Sequence, residues 1–121
     1  MKNILVVDDD PDILFIIHYI LSSEGFNVKT HPTGLHVSEV VESSNPNIIL
    51  LDINLPGKSG TAICKELKHT WTDLPVIFIS AHAKKSEAFA ECKADDFISK
   101  PFEREDLVST IKYHLINDRE N

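Results

Sequence analysis

Four places in the chain carry side chains that could do chemistry together. The apolar run Ile4–Val7 ends in Asp8-Asp9-Asp10, and Ile48–Leu51 ends in Asp52. Val76–Ile79 ends in Ser80-Ala81, and Phe97-Ile98 ends in Ser99-Lys100-Pro101. Carboxylates gathered in one place repel, so some of that charge must be cancelled. A site of carboxylates plus a backbone carbonyl is what Mg2+ prefers, keeping several of its waters. Lys100 adds a second positive charge and Ser80 a hydrogen-bond donor. A divalent cation, an ammonium and a hydroxyl around one carboxylate suit phosphoryl transfer, because they can meet the equatorial oxygens of the transferred group. The central carboxylate can itself be the nucleophile and become an aspartyl-phosphate. Asp52 is the candidate, since it stands alone at the end of the most apolar run, Ile48-Ile49-Leu50-Leu51.

These residues can meet only if the runs are neighbouring strands. Ile4–Val7, Ile48–Leu51 and Val76–Ile79 are continuously apolar, as expected of strands covered on both faces by helices. Phe26–Thr30 alternates, which predicts an edge strand. Helical patterns lie between the runs. Asp10-Pro11 reads as an N-cap followed by proline at the first helical position. Ile13, Ile16, Ile17, Ile20 and Leu21 then follow the helical period until Gly25. A second helix is expected over Gly34–Ser43, with Leu35, Val40 and Val41 apolar. A third starts near Ser59-Gly60 and carries Ile63, Cys64 and Leu67. A fourth, Lys84–Cys92, is short and poorly patterned. The last follows Pro101 and carries Leu107, Val108, Ile111 and Leu115. Strands alternating with helices give an α/β, doubly wound (βα)5 parallel sheet, the class to which flavodoxin-like folds belong. In such a sheet the ligand site lies beyond the carboxyl ends of the strands, where the acidic and basic residues fall.

Composition narrows the function. With 121 residues the chain is expected to form one domain, 1–121, with a polar tail over 117–121 and no room for an output domain. The formal charge of −7 argues against nonspecific nucleic-acid binding, which needs a basic footprint. No apolar stretch has the length of a signal peptide core or of a membrane span, so a cytoplasmic protein is expected. Cys64 and Cys92 lack CxxC spacing and read as free, half-buried thiols. The histidines His18, His31, His36, His69, His82 and His114 show no metal-ligand spacing. Trp71 is assigned to packing.

Taken together, Ile4-Leu5-Val6-Val7-Asp8-Asp9-Asp10-Pro11, Ile49-Leu50-Leu51-Asp52-Ile53-Asn54-Leu55-Pro56-Gly57, Ile79-Ser80-Ala81 and Ala94-Asp95-Asp96-Phe97-Ile98-Ser99-Lys100-Pro101-Phe102 resemble the receiver domain of two-component response regulators. The resemblance covers nearly the whole chain. It implies a CheY-like fold with strand order 2-1-3-4-5. It implies that Asp52 accepts a phosphoryl group from a sensor histidine kinase or a His phosphotransfer protein. Asp9 directly and Asp8 partly through water would hold Mg2+, with Asp52 and the Asn54 backbone carbonyl as further ligands. Lys100 would pair with the phosphoryl oxygens, beside a Lys100-Pro101 bond that is usually cis in the family. Ser80 and Phe97 would be switch residues, and Asn54 and His82 would tune dephosphorylation. The phosphorylated form would be read by another, unknown protein or relayed onward. On this reading the chain is a phosphoacceptor rather than a turnover enzyme, at most promoting its own phosphorylation and slow dephosphorylation. Tyr113 and Ile116 would form an outward apolar spot on the last helix, through which a homodimer could form.

Two departures from the family pattern stand out. Lys93 replaces the usual glycine before Ala94-Asp95-Asp96, where a left-handed cap would cost a non-glycine residue ~1 kcal/mol or more. The interval from Ser80 to Lys100 is also about two residues short, which affects the fourth helical region. Other functions fit less well. A phosphatase with an aspartate nucleophile wants a second Asp two residues on, where Asn54 stands. A flavin-binding module wants a Ser/Thr/Gly-rich loop after the first strand, where three aspartates stand. A receiver serving as an interaction module without phosphorylation is the remaining alternative, kept open by the unusual fourth helix.

Overall fold

The computed structural model describes residues 2–81 and 92–119. The elements are β1 (Asn3–Val7), α1 (Pro11–Ser23), β2 (Asn27–His31), α2 (Val37–Ser44), β3 (Ile48–Asp52), α3 (Gly60–Thr70), β4 (Val76–Ser80), β5 (Asp96–Ser99) and α4 (Arg104–Arg119). The strands form one parallel sheet in the order β2-β1-β3-β4-β5, as the resemblance implies. Alternate residues of the apolar runs point to opposite faces. Leu5, Val7, Ile49 and Leu51 pack with α2 and α3 around Phe78. Ile4, Val6, Ile48 and Leu50 pack with α1 and α4. Every residue of β3 and β4 is buried, the physical reason for their unbroken hydrophobicity. Strand β2 alternates because it lies at an edge.

The helix ends are set by local chemistry. Asp10 Oδ1 accepts from the N–H groups of Asp12 and Ile13, at 2.9 and 3.5 Å, capping α1 as expected. At the other end Gly25 takes φ 94°. Its N–H donates to Ser22 C=O and that of Phe26 to Leu21 C=O, the paired bonds of a Schellman stop. Phe26 is thus spent on the cap, and β2 starts at Asn27 rather than Phe26. Helix α2 starts at Val37, later than Gly34, because His36 is left-handed, φ 63°, and so interrupts the helical backbone. Leu35 therefore lies outside the helix.

Other expectations are corrected by burial. Ile16 is exposed on α1, and the apolar face turns instead through Ile17, Ile20 and Leu21. Cys64 and Cys92 are buried rather than half-buried, in the core on the α2–α3 side. The backbone of α4 continues to Arg119, past the start of the expected polar tail. Trp71 closes α3 and packs against the same core as the cysteines. His82 and the fourth helical pattern, apart from Cys92, lie outside the described residues. Lys93 is not among the left-handed residues of the described chain. Instead Ala94 N–H donates to Cys92 C=O at 2.8 Å, so a three-residue turn replaces the glycine cap. No described helix is long and apolar enough to cross a membrane.

Candidate functional site

The register decides which side chains meet. Val7 pairs with Leu51 and Asp52 with Ile79, so β1, β3 and β4 end together at one edge of the sheet. Asp8 follows β1, Asp52 is the last residue of β3, and Ser80 is the last of β4, in register with Ser99 of β5. Lys100 follows β5 and precedes a cis bond to Pro101. Its backbone N–H donates to Ser80 C=O at 2.9 Å, tying the lysine to the neighbouring strand.

One carboxylate oxygen from each of Asp8, Asp9 and Asp52 lies within 4.8 Å of the others. Asp8 and Asp52 are buried, whereas Asp9 sits exposed at the rim. Asp8 Oδ1 accepts from the Asp10 N–H at 2.9 Å, which fixes that carboxylate against the start of α1. Lys100 Nζ stands 2.7 Å from Asp8 Oδ2, but off line for a hydrogen bond. Among the described residues this oxygen is the buried side-chain polar atom left without a directed donor. Lys100 also donates to Asp52 Oδ2 at 3.4 Å, and the Asn54 N–H donates to Asp52 Oδ1 at 3.2 Å. The ammonium thus bridges two buried carboxylates, closer to Asp8 than to the candidate nucleophile.

Electrostatics follow from this packing. Burial first, and the charge of Asp8 second, push the Asp52 carboxyl above its ordinary range, against the pull of Lys100 and the Asn54 N–H. Burial would lower the Lys100 ammonium, but contact with Asp8 and the charge of Asp52 hold it above its usual value. One ammonium, paired with two of the three carboxylates, leaves the cluster net negative. The donors are all hard oxygens and one buried lone pair has no directed partner, so the residues fit a Mg2+ ion.

Ser80 is buried at the carboxyl end of β4. Phe97 is half-buried on β5, opposite Phe78, and packs against the α2–α3 core. Asn54 is exposed in the segment after β3. One positioning residue was not legible in the sequence. A Cβ on Gly60 would stand 2.3 Å from the Asp52 carbonyl oxygen and 2.7 Å from Ile53 Cα. Only glycine lets the start of α3 press on the end of β3, where Gly60 N–H donates to Ile53 C=O at 2.7 Å. In the sequence Ser59-Gly60 signals no more than a helix start.

Comparison with known proteins agrees with this geometry. Residues 4–112 match the model of the response regulator receiver domain family. The chain is similar to a response regulator receiver domain protein (CheY-like) from Methanospirillum hungatei JF-1, with 30% identity, a TM-score of 0.93, and 99% of this chain and 98% of that one covered. It is also similar to the BeF3-activated N-terminal receiver domain of Klebsiella pneumoniae RstA, at 28% identity and TM-score 0.88, covering 94% and 98%. NtrX from Brucella abortus, in complex with ATP, matches at 33% identity and TM-score 0.89 over 97% of this chain but only 27% of its own.

Proposed function

The chain belongs to the response regulator receiver domain family, a phosphoacceptor class of two-component signalling, and from that premise we propose that Asp52 is its phosphorylated residue, with a phosphohistidine on a kinase or phosphotransfer protein as donor. The observation that carries this reading is the bridging of Asp8 and Asp52 by Lys100, beside Asp9. In the step, an Asp52 carboxylate oxygen forms a bond to phosphorus. The phosphorus–nitrogen bond of the donor breaks, its electron pair returns to the imidazole, and that nitrogen picks up a proton.

Asp8, Asp9, Asp52 and the Asn54 carbonyl would hold Mg2+. When bound, the ion supplies positive charge to the transferring oxygens. The chain's own residues do the rest. The Asn54 N–H fixes one Asp52 oxygen by donating a hydrogen bond to it. Lys100 balances the charge of Asp8 before reaction and can shift its hydrogen bonds to phosphoryl oxygens afterwards. Ser80, at the end of the adjacent strand, supplies a hydroxyl to the same group. Phe97, half-buried on β5 against the α2–α3 core, would pass a movement of Ser80 to the surface around β5 as a population shift. Asn54 and His82 are read as flanking the path of the hydrolytic water.

The test is intact-mass spectrometry after incubation with an acyl phosphate, with and without Mg2+. The wild type is expected to gain one phosphoryl group only when Mg2+ is present, and Asp52→Asn none. A modified Asp52→Asn, or an unmodified wild type in Mg2+, would count against the proposal. Rapid turnover of unrelated phosphate monoesters would favour a phosphatase instead. In the same assay, exchange of both Asn54 and His82 is expected to change the rate at which the added mass is lost.

A further inference from the structure

Leu35 is a large apolar side chain half in water, 50% exposed, with no part in the chemistry above. It lies in the segment 32–36 that joins β2 to α2. This segment straps the one that follows β3, residues 53–58. The Gly34 N–H donates to Pro56 C=O at 3.1 Å. A Cβ on Gly34 would stand 2.4 Å from the Lys58 carbonyl oxygen, so the two backbones are in contact. Leu35 covers Gly57, φ 89°, so closely that a Cβ there would be 2.8 Å from Leu35 Cγ.

The strap is itself held at several points. The Leu35 N–H donates to Thr33 Oγ1 at 3.1 Å, and His31 Nε2 donates to Leu35 C=O at 2.6 Å. The His31 carbonyl accepts from the Asp8 N–H at 3.2 Å. The next residue, His36, has φ 63°, a conformation that a non-glycine residue keeps only where its surroundings impose it. In the segment under the strap Ile53 and Leu55 are half-buried against the core and Lys58 pairs with Glu66, whereas Asn54, Pro56 and Gly57 are exposed. Yet this segment carries the Asn54 N–H that fixes Asp52 Oδ1.

We infer that Leu35 is a positioning residue for Asp52: by covering Gly57 it holds segment 53–58 closed and keeps the Asn54 N–H on the carboxylate. Its effect on phosphorylation rests on the role proposed for Asp52; its effect on the Asn54 hydrogen bond does not. About half of the leucine is covered, so about half the value of a buried leucine is at stake, roughly fivefold in the ratio of closed to open segment.

Two readouts on the same variants test this. Amide hydrogen exchange at Asn54, followed by NMR, is expected to quicken about fivefold in Leu35→Ala and to recover in Leu35→Met. Ile116→Ala, an equally exposed apolar truncation on α4, should leave Asn54 unchanged. Phosphorylation by an acyl phosphate in saturating Mg2+ should slow in Leu35→Ala and recover in Leu35→Met. Unaltered Asn54 exchange in Leu35→Ala, or equal quickening in Ile116→Ala, overturns the inference. A wild type that cannot be phosphorylated but shows the expected exchange pattern removes the role of Asp52 and leaves the strap standing.

Discussion

Asp52 is held in a state that disfavours its own charge. Burial and the neighbouring Asp8 raise its carboxyl above the ordinary value, so the folded chain binds that proton more tightly than the unfolded chain does. Between the two values the folded state carries more protons, and this residue's contribution to stability falls as pH rises through that window. Above it the penalty is complete. Asp52→Asn removes the penalty, so without divalent cations it is expected to melt higher than the wild type at neutral pH. The gap should close as pH falls below the ordinary carboxylate range. Equal melting at neutral pH, or a gap that widens on acidification, would contradict this. Lys100 works in the opposite direction. Lys100→Met strips the bridging ammonium, and the Asp52 carboxyl should then titrate higher still by carbon-detected NMR. Most of this was legible in the sequence as residue types at strand ends. What it could not show is that Lys100 sits nearer Asp8 than Asp52, because that depends on side-chain reach between strands far apart in the chain.

At the scale of elements, the site is as well placed as its supports. The start of α3 touches the end of β3 only because residue 60 has no side chain. Gly60→Ala is expected to cost roughly 1–3 kcal/mol in a denaturant titration and to slow acyl-phosphate labelling as well, because the strain falls on the Asp52 backbone. Full stability with unaltered labelling would show that the contact relaxes freely. Asp10 has the plainer duty of capping α1. Its loss in Asp10→Ala should cost about 1 kcal/mol, with phosphorylation retained. That cap, and the strands buried on both faces, could be read from short-range pattern. The start of α2 could not, since the helix is interrupted by a left-handed His36 in a segment whose Gly34 is bonded to Pro56, more than twenty positions away. Nor could the turn at Lys93, where a bond between Cys92 and Ala94 does the work expected of glycine.

For the molecule as a whole, the sheet divides the core into two layers, and both must stay intact for the strand ends to stay in register. Phe78 is completely buried on the α2–α3 side and lies opposite Phe97 in the ladder. Phe78→Ala should cost about 3–5 kcal/mol, the usual penalty for emptying so large a core position. The fold class follows from the spacing of apolar runs and the sheet order from the family resemblance, so the whole-chain architecture was easier to read than individual loop contacts. A cation that binds only the folded form raises its stability by mass action, by about 2.7 kcal/mol at a hundred times its dissociation constant. Mg2+ should therefore raise the melting temperature of the wild type, and Asp9→Asn should lose most of that rise. Chemical mapping of the phosphorylated residue reaches the centre of the matter. An aspartyl-phosphate is reduced by borohydride to homoserine, which peptide mass spectrometry can locate. Homoserine at position 52 is the expected result; homoserine at position 8 or 9, or a phosphate that resists reduction and maps to Ser80, would contradict it.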